Sequence, residues 1–292
     1  MKTLFITTMT ADCGNHVRAW NSWEEPASHL TYNHTGICND GYLVEEDRKI
    51  APEIIFYIGA CAATGNPRPG AFRDLKEIAP LVNLCSDAAD RPWHGVLREY
   101  GRRGCFSLQV SIDGANNAPV DFVTLTPVDP VPFSRDVDRD IRCGFSGTVG
   151  RWNERSEIVR ALAWFGGLTV RSRGGDYTEH AAFMKRCRMV LNLSRTGSGH
   201  TDHIKGRVLE AGWAGCCLLE SQGSPIAEWF PKGCWVEYKD PLEAAEIIAS
   251  LDDKTIRETA SNLASEVRSR FAPRMIYSEI LRRVADPVEK AA

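Results

Sequence analysis

DHIKGRVLEAGWAGCCLLESQGSPIAEWFPKGCWVEY, residues 202–238, is the stretch whose reading decides the fold. It follows a glycine-rich loop, RTGSGHTD (Arg195 to Asp202), and that loop follows MVLNLS (Met189 to Ser194), an apolar run that reads as a buried parallel strand. Strand, glycine loop and helix in that order build an anion site. The first free N–H groups and the positive end of the helix point at whatever lies above the sheet, and Lys205 and Arg207 add full charges there. Thr201 or Asp202 is placed to cap the helix. On a 3.6-residue period His203, Arg207 and Glu210 share one face, while Ile204, Val208, Ala211 and Gly215 line the other. The apolar face seats the helix on a sheet and the polar face looks into a cleft.

Glu210 is the odd residue there. A carboxylate inside a helix that attracts anions works against phosphate unless it accepts hydrogen bonds from hydroxyls, and a ribose supplies hydroxyls. Lys205 and Arg207 for a diphosphate with Glu210 for a sugar diol suggest a nucleotide-sugar site. The plainer reading is an amphipathic helix with a solvated Arg207–Glu210 pair.

Outward from this stretch, strand-like and helix-like segments alternate, which favours parallel sheets covered by helices on both faces. The first half offers TLFITT (Thr3 to Thr8), EIIFYIG (Glu53 to Gly59), LVNLCS (Leu81 to Ser86), CFSLQVSI (Cys105 to Ile112) and FVTLTP (Phe122 to Pro127). TPVDPVPFSRDVDRDI (Thr126 to Ile141), with three prolines and six charges, reads as a linker. A second series runs through CGFSGTVG (Cys143 to Gly150), LTVRS (Leu168 to Ser172), MVLNLS, CCLLES (Cys216 to Ser221) and CWVEY (Cys234 to Tyr238). The expected organisation is an N-terminal domain over 1–130, a linker over 131–142, a donor domain over 143–270 and a C-terminal helix, 271–292, able to return to the first domain. Two doubly wound α/β domains facing a cleft would put both sets of strand C-termini at the ligand.

KGRVLEAGWAGCCLLES, followed by SPIAEWFPKGCWVEYKDPLEAAEIIASL, resembles the donor-binding half of GT-B glycosyltransferases (two Rossmann-like domains), and within them the spore-maturation-protein (CgeB-like) group. That group's signature runs from a basic residue through "FEA", a small-residue turn and "LLT" to "EEFFEPGKEVVVYRDPEEL". The likeness spans about residues 143 to 270. In the wider GT-B group two carboxylates separated by seven residues flank this helix, and the second holds the donor ribose. Asp202 and Glu210 occupy that spacing here, with Asp in place of the usual Glu; an N-cap explains Asp202 equally well. The resemblance also implies a glycine-then-arginine element, matched by GTVGRWNER with Gly147, Gly150, Arg151 and Arg155, and a segment beside the base, GGDYTEHAAFMK, with Asp176 and Tyr177. The implied activity is metal-independent transfer of a sugar from a UDP or GDP sugar. Lys205 and Arg207 would stabilise the leaving diphosphate, and no cofactor would be needed. The alternatives are a GT-B sugar-nucleotide epimerase and a sugar-nucleotide-binding module without transfer.

For the acceptor half only chemistry guides the choice. His16, after the first strand, is a candidate base with a near-neutral pKa, and Asp87 and Asp113 are its partners or substitutes. Trp20, Trp23 and Trp93 are either sugar-stacking or packing residues. Asp136-Val137-Asp138 matches a metal-holding DxD pattern, but it sits in a proline-rich acidic linker between Arg135 and Arg139. No G-x4-GK[ST] loop, no GxGxxG after the first strand and no HxxxH spacing occur, which disfavours phosphoryl transfer, dinucleotide oxidoreduction and a histidine metal site.

At 292 residues and 43% hydrophobic, the chain can bury the cores of two compact domains. A net charge of −3 gives no global attraction to nucleic acid or anionic lipid, so any phosphate binding must be local. Ten cysteines without CxxC or zinc spacing read as reduced core thiols of a cytoplasmic protein. The start lacks the apolar length of a signal peptide, and no run approaches a membrane span. The expected partners are a nucleotide sugar and a small-molecule, glycan or macromolecular acceptor.

Overall fold

The computed structural model describes residues 1–8, 14–33, 39–59, 65–134, 136–147, 149, 154–172, 176–194 and 202–286. The chain divides into two units, one formed by Met1–Asp129 together with the segment from Pro273 onward, the other by Pro130–Ala272.

The first unit is built on apolar runs that suit burial on both faces of a parallel sheet. Its strands are β1 (Thr3–Thr8), β2 (Ser28–Tyr32), β3 (Ile54–Ile58), β4 (Leu81–Cys85), β5 (Leu108–Ser111) and β6 (Phe122–Val123), in the order β2-β1-β3-β4-β5-β6. Every pairing is parallel. The connecting helices are α1 (Gly14–Asn21), α2 (Asp40–Ile50), α3 (Pro69–Ile78) and α4 (Arg91–Arg102). Their starts follow local chemistry: Asn39 accepts from the N–H groups of Gly41 and Tyr42 to cap α2, and prolines open α3 and α4. β2 is the strand that the apolar pattern does not announce. Its edge position leaves SHLTY half solvated, and only Tyr32 is buried.

The second unit holds β7 (Ile141–Gly147), β8 (Leu168–Ser172), β9 (Cys187–Asn192), β10 (Cys217–Ser221) and β11 (Val236–Tyr238), again all parallel, in the order β11-β10-β9-β7-β8. Its helices are α5 (Glu154–Phe165), α6 (Tyr177–Arg186), α7 (Gly206–Ala214), α8 (Pro241–Ser250) and the 18-residue α9 (Asp253–Arg270). α7 lies close against α9 because Gly212 has no side chain: a Cβ there would sit 2.5 Å from Val267 Cγ2. The proline-rich segment expected as a linker packs on this unit from Pro130 onward. Arg139 anchors it by donating to Cys187 O and Ala214 O, each at 2.6 Å.

The last described helix, α10 (Pro273–Ala285), belongs to the first unit. Tyr277 is fully buried there, 5.0 Å from Trp20 and 5.5 Å from Phe56, and its hydroxyl donates to His16 O at 3.0 Å. Among the described residues no helix is long and apolar enough to cross a membrane.

Candidate active site

In the second unit the strand order reverses between β7 and β9, and open α/β sheets bind ligands outside the strand C-termini at such a point. Gly144 pairs with Val190, so two residues on the strand ends are Ser146 and Asn192. Arg207, in the first turn of α7, crosses both: it donates from NH2 to Ser146 O and from NH1 to Asn192 Oδ1 at 3.1 Å. Its guanidinium also lies 4.7 Å from the centre of the Phe145 ring. Gly147 makes room for this crossing. Its φ of 154° is one that L side chains rarely adopt, and a Cβ would stand 2.7 Å from Arg207 NH2.

Arg207 forms no ion pair within 4 Å among the described residues, and its Nε–H is buried without a hydrogen-bond partner there. Burial lowers its pKa and the neighbouring Arg155 lowers it further, while Glu210, Glu220 and Tyr238 act in the opposite direction. The site therefore holds a desolvated positive charge with an unused donor.

Glu210 does not form the solvated pair with Arg207. Its carboxylate faces His180 of α6, with Oε2 3.0 Å from Nε2, and Tyr177 hydrogen-bonds to it as well. On the far side of the His180 ring, Nδ1 lies 2.8 Å from Ser146 Oγ. One chain of hydrogen bonds thus runs from β7 through α6 to α7. Burial pushes the Glu210 carboxyl up, but His180, Arg207 and Tyr177 together outweigh burial and hold it below its ordinary value. Beneath Arg207 a second network is fully buried: Asn192 Nδ2 donates to Glu220 Oε2 at 2.7 Å and to Ser194 Oγ at 3.2 Å. Burial raises Glu220 to about 7.

The sequence-derived candidates divide accordingly. Gly147, Arg207, Glu210 and Tyr177 converge, and Arg155 on α5 is close enough to act on the Arg207 charge. Lys205 is the N-cap residue of α7, though its side chain makes no capping bond. Asp202 does not cap the helix as expected: α7 begins at Gly206, and Asp202 is exposed upstream of it, so the Asp202–Glu210 spacing does not lie along one helix. His203 is not on the polar face of α7 but buried before it, its N–H donating to Ser194 O at 2.7 Å. Asp176 caps α6 by accepting from Glu179 N at 2.9 Å. Thr201, Gly150 and Arg151 lie outside the described residues.

In the first unit, His16 is not a near-neutral loop histidine. It sits in α1, and burial lowers it to about 4, which makes the ring a weak base. Asp113 is buried and holds turns by accepting from Ser111 Oγ, Ala89 N and Ala115 N, the last two at 3.2 and 3.3 Å. Asp87 follows β4 with φ of 56°, in the left-handed region. Trp20 and Trp23 pack with Phe5, Phe56 and Tyr277.

Ser146, His180, Asn192 and Glu220 escaped the sequence reading. Three of them lie at strand C-termini, the signal that could have found them; His180, one turn into a helix, gives none.

A protein-family model described as Glycosyl transferase-like matches residues 132–282, and the chain belongs to that family. The match does not resolve the spore-maturation subgroup. No curated protein sequence matches the chain. Among solved structures it is similar to Anabaena HepE in complex with UDP and glucose (TM-score 0.66, 13% identity, 98% of this chain and 100% of that one). It is also similar to AviGT4, a glycosyltransferase involved in avilamycin A biosynthesis (TM-score 0.56, 13% identity, 99% of each chain). A third similar structure is an α-glucosyltransferase in complex with UDP and a 13-mer DNA containing a central A:G mismatch (TM-score 0.61, 11% identity, 98% of this chain and 100% of that one). At these identities the likeness is one of fold, and the fold is GT-B.

Proposed function

We propose that the second unit binds a nucleotide-diphosphate sugar, UDP-linked because UDP is the nucleotide in the similar HepE and α-glucosyltransferase structures, and that the enzyme transfers the sugar to an acceptor without a metal ion. The observation that carries this reading is Arg207: a desolvated guanidinium at the strand-order reversal, with no carboxylate partner among the described residues and one N–H to spare. Such a group gains most from a phosphate oxygen. Arg207, with Arg155 and Lys205 beside it, neutralises the charge that develops on the departing diphosphate, the electrostatic work a metal performs elsewhere. Glu210, oriented by His180 and Tyr177, has lone pairs left for the ribose hydroxyls. Free, buried cysteines among the described residues favour a reducing, cytoplasmic setting.

Thermal-shift titration with UDP, GDP and UDP-glucose tests the reading. A ligand at 100 times its dissociation constant stabilises the fold by ~2.7 kcal/mol. No stabilisation by any of the three would sink the proposal. Sugar transfer or donor hydrolysis that disappears in excess EDTA and returns with magnesium or manganese would overturn its metal-free part.

A further inference from the structure

Near the C-terminal ends of α6 and α7, described residues between 130 and 139 and the ends of the two helices line a cavity of about 360 Å³. Its walls include Phe133, Val137 and Trp213, with Lys185, Arg139 and Arg268 set against a single carboxylate, Asp136. Lys185 is only 8% exposed and has no ion pair or hydrogen bond among the described residues. Trp213 Nε1 is buried without a partner as well. Lys185 thus holds a largely buried stem and an unpartnered ammonium that reaches the cavity, and such a group gains a charge-assisted hydrogen bond from an anionic oxygen.

Helix C-termini ordinarily repel anions. Here three of the last four carbonyls of α7 are engaged: Arg139 takes Ala214 O, while Ala211 O and Gly212 O accept from the N–H groups of Cys216 and Gly215. The excess positive charge therefore faces the cavity, and the aromatic walls suit an apolar body.

We infer that this cavity binds a small organic anion, an apolar body bearing one carboxylate or phosphate, whose oxygens take Lys185 Nζ while Arg268 faces them from α9 and the Trp213 ring forms part of the apolar wall. The test follows the Trp213 indole N–H of the full chain by ¹H–¹⁵N spectroscopy, assigned with Trp213→Phe, during titration with benzoate, phenyl phosphate and inorganic phosphate. One of the two aromatic probes is expected to move that resonance saturably. Lys185→Met and Arg268→Gln should each weaken it at least ~10-fold, and Arg207→Ala should leave it unchanged. Should Lys185→Met fail to fold, the exposed Arg268→Gln decides alone. No saturable movement with either aromatic probe, or movement insensitive to Arg268→Gln, overturns the assignment. Inorganic phosphate binding as tightly as phenyl phosphate would overturn the apolar-body half of it.

Discussion

Both units carry strands in the same relative order, each beginning with its second strand beside its first and continuing from the first to the third. They differ in what they gather behind the reversal. In the first unit Phe5 and Phe56 stack at 5.0 Å, and Trp20 and Tyr277 close over them. In the second, the strand ends present Ser146 and Asn192, and Arg207, His180 and Glu210 converge on them. Topology fixes where a site can form; side chains decide whether the place is filled with aromatic packing or with charge.

The sharpest separation should come from one truncation in each unit. Trp20→Ala removes a fully buried ring from the first unit, at a cost of ~3–5 kcal/mol by chemical denaturation, while the folded fraction keeps its UDP affinity. Arg207→Ala should do the reverse, lowering kcat/KM ~100-fold or more and weakening UDP far more than uridine in calorimetry. Equal losses for the nucleotide and the nucleoside would place the arginine outside a phosphate site.

Glu220 tests whether the polar network carries strain of its own. Its carboxyl titrates near 7 when folded and near the ordinary 4.5 when unfolded. Between those values the folded state keeps a proton that the unfolded state has released, so its stabilising contribution is complete below 4.5 and is lost as pH rises through about 7. The full span is roughly 3 kcal/mol. Melting curves of wild type and Glu220→Gln across that window should show the decline in wild type and its absence in the variant; parallel curves would mean the carboxyl is better solvated than its burial implies.

The smallest effect concerns Glu210. Glu210→Gln should weaken UDP by ~1–2 kcal/mol and leave a 2′,3′-dideoxy analogue nearly unaffected, because the amide is a poorer acceptor for two hydroxyls. A coupling energy near zero between the substitution and the hydroxyls would remove Glu210 from the ribose.

Much of this arrangement can be read from residue types alone. Long apolar runs such as EIIFYIG and LVNLCS announce central strands because parallel sheets are buried on both faces, whereas SHLTY, at an edge and half solvated, does not. Arg207 and Glu210 stand out by charge on an otherwise apolar helix. The start of that helix is illegible because Thr201 and Asp202 have capping chemistry and Lys205 does not, yet Gly206 is where helical backbone begins. The partners that define the site are illegible for another reason. Ser146, His180 and Asn192 come from separate elements, and only sheet register and the packing of α6 beside α7 bring them together.

Gly147 has a practical consequence. Because the guanidinium occupies the space where a side chain would be, even one added methyl group competes with Arg207 for that slot, while its contact with the Phe145 ring, at 3.4 Å, is an ordinary one. If Arg207 binds the diphosphate as proposed, enlargement at this position is expected to give a folded but donor-blind form of the enzyme, a tool with which acceptor recognition can be studied while the sugar donor is shut out.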